Sequence, residues 1–152
     1  MAFRFPLEPV IVIRDNFLKE CQHELAKAYE ARRIVEETEE KINSDLQSNF
    51  ENGRRMLQEY GKLDVEYMLG LRRHDAYLNA QLNVVKHDLA RIDEEIEKRQ
   101  LAVTEAHKEL KIIEKLKEKK LDEFYKNETK KEQIAMDEVA IIRKNREEKD
   151  VG

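Results

Sequence analysis

The stretch LNAQLNVVKHDLARIDEEIEKRQLAVTEAHKELKII, residues 78–113, decides the fold of this 152-residue chain. Its apolar residues alternate in steps of four and three. The seam that they form is Leu78, Leu82, Val85, Leu89, Ile92, Ile96, Arg99, Val103, Ala106, Leu110 and Ile113. This spacing is a heptad repeat, which keeps one narrow apolar stripe facing a partner helix. The stretch therefore predicts a long helix, with Arg99 as the one polar member of its seam, that packs against a second helix.

A weaker seam of the same period occupies the first third of the chain. Its apolar members are Leu18, Cys21, Leu25, Ala28, Val35, Ile42 and Leu46, and its polar interruptions are Arg32, Glu39 and Asn49. Proline is tolerated in the first turn of a helix but not deeper, so we expect this helix to begin near Pro9. The two seams predict two helices of unequal length.

Three glycines, Gly53, Gly61 and Gly70, lie between the seams. We expect Gly61 to end the first helix, because glycine adopts a left-handed capping conformation at little cost, and Asp64 to cap the next helix. The alternative is a longer irregular hinge from Gly53 to Gly70. A short turn between long amphipathic helices folds them into an antiparallel hairpin.

The predicted fold is all-α, a long two-helix antiparallel coiled-coil hairpin in which the second helix overhangs the first. Residues 1–152 form a single coiled-coil domain, with helix 1 at about 8–59, a turn at about 60–64 and helix 2 at about 65–148. Folding about Gly61 pairs residues near 10 with residues near 112. Beyond Lys111 about 35 residues are then expected to project by roughly 50 Å as a lone helix.

Composition excludes several classes of function. Charged residues make up 41% of the chain, the net charge is only −4, and the two signs are interleaved, so nucleic acid is not an expected partner. The longest apolar run, PVIVI at residues 9–13, is far below the roughly 20 residues that a membrane-spanning helix needs, and no signal-peptide pattern opens the chain. Cys21 is the single cysteine, which fits a reducing compartment. We expect a cytoplasmic protein without direct membrane insertion.

The sequence offers no catalytic constellation. His23, His74, His87 and His107 are scattered, with no pair at the spacing of metal ligands on a helix. It contains no glycine-rich phosphate loop and no nucleophile elbow. A two-helix rod also lacks the rigid, water-excluding enclosure that catalysis needs. We therefore predict no enzymatic activity, no catalytic residue, no cofactor and no metal.

Three clusters of apolar residues exceed what a simple hairpin requires. The opening FRFPLEPVIVIRDN, residues 3–16, forms either a docking surface or a cover for the second helix near Ile112 and Leu116. The residues Phe50, Tyr60, Tyr67, Met68, Leu69, Leu71 and Tyr77 crowd the turn, where they bind a partner or pack the tip. The segment QIAMDEVAIIRKN, residues 133–145, restores apolar character beyond the hairpin, which indicates a helix-in-groove contact or dimerisation.

The two ends of the chain resemble those of the FliJ family, the small coiled-coil protein of the bacterial flagellar type III export apparatus. The opening FRFPLEPVIVIRD is similar to the aromatic-basic-aromatic start of the family, its Leu-Glu-Pro and its short apolar run before an arginine. The segment HKELKIIEKLKEKKLDEFYKNETKKEQIAMDEVAIIR, residues 107–143, resembles the C-terminal signature of the family.

This resemblance implies a role in flagellum biogenesis and motility. It implies an antiparallel coiled coil, similar to the central stalk of rotary ATPases, that is a monomer in isolation. The end with the two termini enters the pore of a hexameric flagellar ATPase. The opposite region contacts the membrane-embedded export gate, and export chaperones bind as well. The implied location is cytoplasmic, peripheral to the inner face of the cell membrane at the flagellar basal body.

The resemblance also implies two sets of site residues. The ATPase-facing set is Phe3, Phe5, Leu7, Glu8, Arg14, Leu116, Lys117, Lys119, Lys120, Phe124, Asp137, Glu138 and Arg143. The gate-facing set is Ile42, Leu46, Phe50, Tyr77, Leu78, Val84 and His87, whose apolar members also belong to or flank the seams and could be core.

Two alternatives to this function stay open at the level of sequence. One is the equivalent stalk of a virulence type III secretion system. The other is a homo-oligomeric structural coiled coil, because Arg32 and Arg99 lie on seams that a second chain could also satisfy.

Overall fold

The computed structural model describes residues 2–59 and 64–151. This part of the chain consists of a non-helical segment, residues 2–7, followed by two helices, α1 at Glu8–Glu59 and α2 at Val65–Val151. The two helices pack against each other, and the described residues contain no strand. The predicted all-α helical hairpin is confirmed.

The hairpin divides into two compact units, each of which contains part of both helices. The first unit comprises residues 2–18 and 106–151 of the described chain, and the second comprises residues 19–59 and 64–105.

The core of the second unit is the predicted seam. Ile42, Leu78 and Val85 are only 5%, 3% and 8% exposed, and the half-buried residues that pack against them are Val35, Leu46, Leu82 and Leu89. Ala28 and Ile96 are also buried in this unit. Heptad spacing places these side chains on one stripe of each helix, and burial of that stripe holds the two helices together.

Three of the four polar seam residues, Arg32, Asn49 and Arg99, find partners within the chain. The Nη1 of Arg99 donates to the backbone oxygen of Glu24 at 2.6 Å, and the Nδ2 of Asn49 donates to Asp75 Oδ1 at 3.0 Å. The Nε of Arg32 lies 2.9 Å from Asp93 Oδ1, an ion pair although that N–H makes no well-directed hydrogen bond. Arg32 and Arg99 thus have polar partners within the chain and do not require a second chain to provide them. Their position on the seams is therefore no evidence for a homo-oligomer.

In the first unit, the N-terminal segment extends the packing of α2. The side chain of Phe5 is buried, and the ring of Phe3 lies 5.6 Å from that of Phe124. The Nζ of Lys117 forms an ion pair with Glu8 Oε2 at 2.8 Å, and Arg14 forms another with Glu109. The expectation that α2 loses its partner beyond Lys111 is therefore wrong, because residues 2–7 continue the contact as far as Phe124.

The spacing of the half-buried positions along α2 changes in the region where its partner is no longer α1 but the N-terminal segment. The half-buried positions after residue 110 are 113, 117, 121, 124 and 128, so two steps of four follow one another between 113 and 121. An inserted step of four locally unwinds a coiled coil. The change is consistent with a partner that is no longer a helix, and from Thr129 onward every described residue of α2 is exposed.

Asp64 caps α2, as the sequence predicts. The backbone N–H of Tyr67 donates to Asp64 Oδ1 at 3.2 Å, and that of Met68 donates to the Asp64 carbonyl at 3.1 Å. Gly53 lies within α1 and Gly70 within α2, so the alternative of an irregular hinge between them is wrong. The predicted helix end at Gly61 lies outside the described residues.

Substitution of Gly70 by alanine should stabilise the hairpin. Gly70 is helical, and a Cβ at this position would meet nothing within 4 Å. Because glycine costs about 0.5–1 kcal/mol relative to alanine inside a helix, we expect Gly70→Ala to raise the free energy of unfolding by about that amount. Urea unfolding followed by circular dichroism measures the change. The reverse substitution at an exposed position of the same helix, Ala76→Gly, should lower it by a similar amount, and a destabilising Gly70→Ala would contradict the prediction.

Candidate docking surfaces

About half of the predicted ATPase-facing residues line one groove of the first unit. This groove is lined by Phe3, Phe5, Leu7, Leu116, Lys120 and Phe124 from that set, together with Arg4, Pro6, Glu123 and Asn127. The Nζ of Lys120 lies 3.5 Å from Glu123 Oε2, on the same wall. Phe5 is buried, which agrees with the covering role for that residue, whereas Val12, Ile13 and Ile112 are 54%, 65% and 68% exposed, so a docking surface stays open for the rest of the opening segment.

The other seven ATPase-facing residues also belong to the first unit but do not line this groove. Glu8 and Lys117 pair with each other, and Arg14 pairs with Glu109, so these three side chains hold the first unit together. Lys119 is exposed on α2. Asp137, Glu138 and Arg143 are exposed farther along α2 and do not line the groove of the N-terminal segment.

The last part of α2, residues 130–151, is here called the distal helix, and every residue of it is exposed. Its large apolar side chains between residues 134 and 142 are Ile134, Met136, Val139, Ile141 and Ile142, at 59%, 73%, 51%, 59% and 54% exposure, and Val151 at its end is 90% exposed. At about 100° per residue, the first five of these side chains span an arc of roughly 220° around the helix, from Ile141 and Ile134 through Ile142 and Val139 to Met136. This arc is about twice as wide as the apolar stripe of an ordinary surface helix.

The gate-facing residues divide into core and surface. Ile42 and Leu78 are buried, and Leu46 packs against them. Phe50, Tyr77 and Val84 are 65%, 59% and 60% exposed, and His87 is exposed as well. The exposed members are the ones that could contact another protein.

Tyr77 and Val84 line a groove along one flank of the second unit, here called the lateral groove. Its walls are Thr38, Lys41, Asp45, His74, Ala80 and Gln81, and Ile42, Leu78 and Val85 form its floor. The ring of His74 stacks on Tyr77 at 6.4 Å, and the Nε2 of Gln81 donates to the Tyr77 hydroxyl at 2.8 Å. These contacts orient an exposed tyrosine toward solvent.

Phe50 lies in a different groove, here called the turn groove. It is lined by Asn49, Phe50, Gly53, Arg54, Leu57, Val65, Met68, Leu69, Leu71, Arg72 and Asp75. Phe50 follows the seam position Asn49, whereas Asp45 precedes the seam position Leu46, so the two grooves lie on opposite flanks of α1. The gate-facing residues therefore do not form one continuous surface.

Sequence reasoning missed part of the turn groove. Leu57 and Val65 are 49% and 57% exposed, although neither belongs to a seam or to the apolar cluster predicted at the turn. Both residues lie beside the seam, and Leu57 lies one heptad beyond Phe50. This position could have predicted that they line the groove. Of the predicted cluster, Met68, Leu69 and Leu71 line this groove, and Tyr60 lies outside the described residues.

Neither α1 nor α2, over the residues described, contains an apolar stretch long enough to cross a bilayer. Within residues 2–59 and 64–151, no three side chains of metal-ligating type lie together in a candidate metal site.

The hairpin and its exposed apolar grooves define the class of protein: a helical coiled coil that presents surfaces for contact with other macromolecules. Residues 3–149 match the family described as flagellar FliJ protein, so the chain belongs to the FliJ family. It is accordingly a component of the bacterial flagellar export apparatus. This finding confirms the resemblance and favours the flagellar over the virulence-type apparatus. No curated protein and no solved structure matches the chain.

Proposed function

We propose that this chain is the non-catalytic stalk of the flagellar export apparatus. It docks in the hexameric export ATPase through its first unit and binds the cytoplasmic domain of the membrane export gate through its second. It is a monomer before assembly, escorts export chaperones, and acts in the cytoplasm, peripheral to the inner face of the cell membrane at the flagellar basal body. The chain contributes no group to ATP hydrolysis.

The distal helix carries this proposal. Its five large apolar side chains between residues 134 and 142 spread over more than half of the helix circumference, and each is more than half exposed. Burial of such a side chain contributes about 1.5–3 kcal/mol, so a partner that covers all of them gains considerable affinity. A second helix covers one face only, whereas the pore of a ring-shaped ATPase surrounds a helix on every side. An arc of roughly 220° is wider than the face that one partner helix covers, so it supports the ring over dimerisation.

The charges of the first unit fit the same role. Asp137, Glu138 and Arg143 supply both signs between the apolar side chains of the distal helix, where they can face polar groups of an enclosing partner. Exposed Lys119 and the rim residue Lys120 add positive charge closer to the N-terminal segment. Glu8, Arg14 and Lys117 act indirectly, because their ion pairs fix the chain against α2.

The lateral groove is the proposed contact for the export gate. Tyr77 and Val84 offer exposed apolar area above a buried floor, and His87 lies one helical turn from Val84. Ile42, Leu46 and Leu78 support this surface from the core without offering area of their own.

Two double substitutions on opposite sides of the distal helix test the docking in the ATPase. Ile134→Gln with Ile141→Gln removes apolar area from one side, and Met136→Gln with Val139→Gln removes it from the other. If a ring encloses the helix, each pair should weaken binding to the purified ATPase hexamer by at least about 100-fold, as expected from the loss of two buried side chains. Glutamine is a good helix former, so circular dichroism should stay unchanged.

Leu101→Gln is the matched control, because Leu101 is 63% exposed on the same helix but belongs to the second unit. It should bind the ATPase with unchanged affinity. If only one of the two pairs weakens binding, the partner covers a single face and the enclosing ring is wrong. If neither does, the distal helix is not the docking element.

A further inference from the structure

The proposed ATPase and export-gate contacts leave the turn groove unused, although Phe50 of the predicted gate-facing set lies in it. Phe50 and Leu57 form its α1 wall, and Val65 and Leu69 form its α2 wall, at 65%, 49%, 57% and 48% exposure. Half-buried Met68 and Leu71 lie between the walls. Monomeric proteins rarely expose contiguous apolar area without using it to bind something.

Each wall of the groove also carries one arginine. On α1, Phe50, Arg54 and Leu57 follow one another at the spacing i, i+4, i+7, and on α2 Val65, Leu69 and Arg72 do the same. The spacing places each guanidinium on the same side of its helix as the apolar residues. Each wall is therefore apolar with one cationic position.

Neither arginine has a partner among the residues that the structure describes: Arg54 and Arg72 make no ion pair or hydrogen bond there. The one carboxylate that lines the groove, Asp75, accepts a hydrogen bond from Asn49. An arginine binds a carboxylate through two parallel hydrogen bonds. The ligand that best fits two unpaired guanidinium groups beside an apolar floor therefore carries carboxylates next to apolar side chains.

We propose that the turn groove binds an amphipathic helix of a partner protein whose apolar stripe is flanked on both sides by Asp or Glu. The stripe packs on Phe50, Leu57, Val65 and Leu69, and the flanking carboxylates reach Arg54 on one wall and Arg72 on the other. This is a helix-in-groove contact in which the apolar area provides affinity and the charges select the partner. The surface is separate from the lateral groove and goes beyond the stalk function.

A second copy of this chain fits the groove less well than an acidic helix. Symmetric association through the turn groove would bring Arg54 and Arg72 of one copy toward the same two arginines of the other. Like charges at close range oppose that arrangement, whereas carboxylates are attracted to both walls.

Two synthetic peptides test the charge preference with the full chain. Both carry the same leucine stripe at i, i+3, i+4 and i+7 spacing, and glutamates flank the stripe in one peptide and lysines in the other. Fluorescence anisotropy should give at least tenfold tighter binding of the glutamate peptide. In nuclear magnetic resonance spectra of the isotope-labelled chain, its amide shift changes should fall within residues 50–57 and 65–72.

Substitutions in the walls, with neighbours as controls, make the test specific. Arg54→Glu with Arg72→Glu should reverse the preference between the peptides. Arg55→Glu with Arg73→Glu makes the same change in net charge outside the groove and should leave the preference unchanged. Leu57→Ser with Leu69→Ser should abolish binding of both peptides while circular dichroism stays helical.

Four results would overturn the proposal. These are no binding of the glutamate peptide, shift changes outside the groove, an equal loss of affinity in the Arg55 and Arg73 control, and self-association that depends on Leu57 and Leu69. None of them bears on the ATPase contact, so the stalk function and the turn groove stand or fall separately.

Discussion

Removal of residues 134–152 is expected to abolish binding to the flagellar export ATPase while the rest of the hairpin stays folded. Every described residue from 130 onward is exposed, so the truncated chain loses none of the buried seam. It does lose the five large apolar side chains between residues 134 and 142, and Val151 as well. Sedimentation of the chain with the ATPase hexamer should show no complex, and the circular dichroism of the variant should fall only in proportion to the helix removed.

A shorter truncation provides the matched control. Removal of residues 146–152 deletes the charged end REEKDVG and keeps Ile134, Met136, Val139, Ile141 and Ile142. Binding to the ATPase should be retained, because the apolar segment is intact. A complex that survives the longer truncation, or disappears with the shorter one, would show that the distal helix does not dock through its apolar side chains.

Truncation of Leu78 to alanine should have the largest effect on stability. Leu78 is 3% exposed and packs with Ile42 and Val85 at the centre of the second unit. A buried leucine replaced by alanine costs about 2–5 kcal/mol, from lost apolar burial and from the cavity left behind. A two-helix hairpin has a single layer of buried contacts, so no other part of a core compensates for the cavity. The urea midpoint should therefore fall markedly, and the unfolded fraction at 37 °C should rise.

The control for this substitution is Leu101→Ala, which makes the same chemical change on the same helix. Leu101 is 63% exposed, so its replacement should alter the free energy of unfolding by no more than about 0.5 kcal/mol. Equal effects at the two positions would mean that the seam does not form the core of the hairpin.

The hairpin could be predicted from the sequence because its causes are local and periodic. Alternation of three and four residues determines which side of each helix is buried, and it does so wherever the partner lies. The cap at Asp64 could also be predicted, since it depends on a side chain and on backbone groups only a few residues away. Membership of the FliJ family followed from two short terminal motifs.

The path of the N-terminal segment could not be predicted in the same way. Residues 2–7 are not helical, so Phe3 and Phe5 carry no period that would indicate which side is buried. The contact between Phe3 and Phe124 joins residues far apart in sequence, and no local pattern encodes it. The first sign of it in α2 is the pair of four-residue steps between 113 and 121, which is visible only once burial is known.

The lateral groove and the turn groove show a second limit of prediction from the sequence. Phe50 and Tyr77 are both aromatic and both lie beside a seam position, so the sequence groups them into one surface. The structure assigns them to different grooves, because one residue follows its seam position on α1 and the other precedes its seam position on α2. Which flank a side chain occupies depends on the direction in which each helix runs, and this becomes clear only when the hairpin is formed.

The contact of Phe3 with Phe124 also sets an order of events during synthesis. At roughly 5–20 residues per second, a ribosome needs about 6–24 s to pass from residue 3 to residue 124. Throughout that interval the aromatic residues of the N-terminal segment lack the surface that later covers them. All residues of the second unit are synthesised by residue 105, so this unit can fold before the C-terminal residues of the first unit have been made. A chain that stops short of Phe124 thus lacks the ring that contacts Phe3 at its beginning.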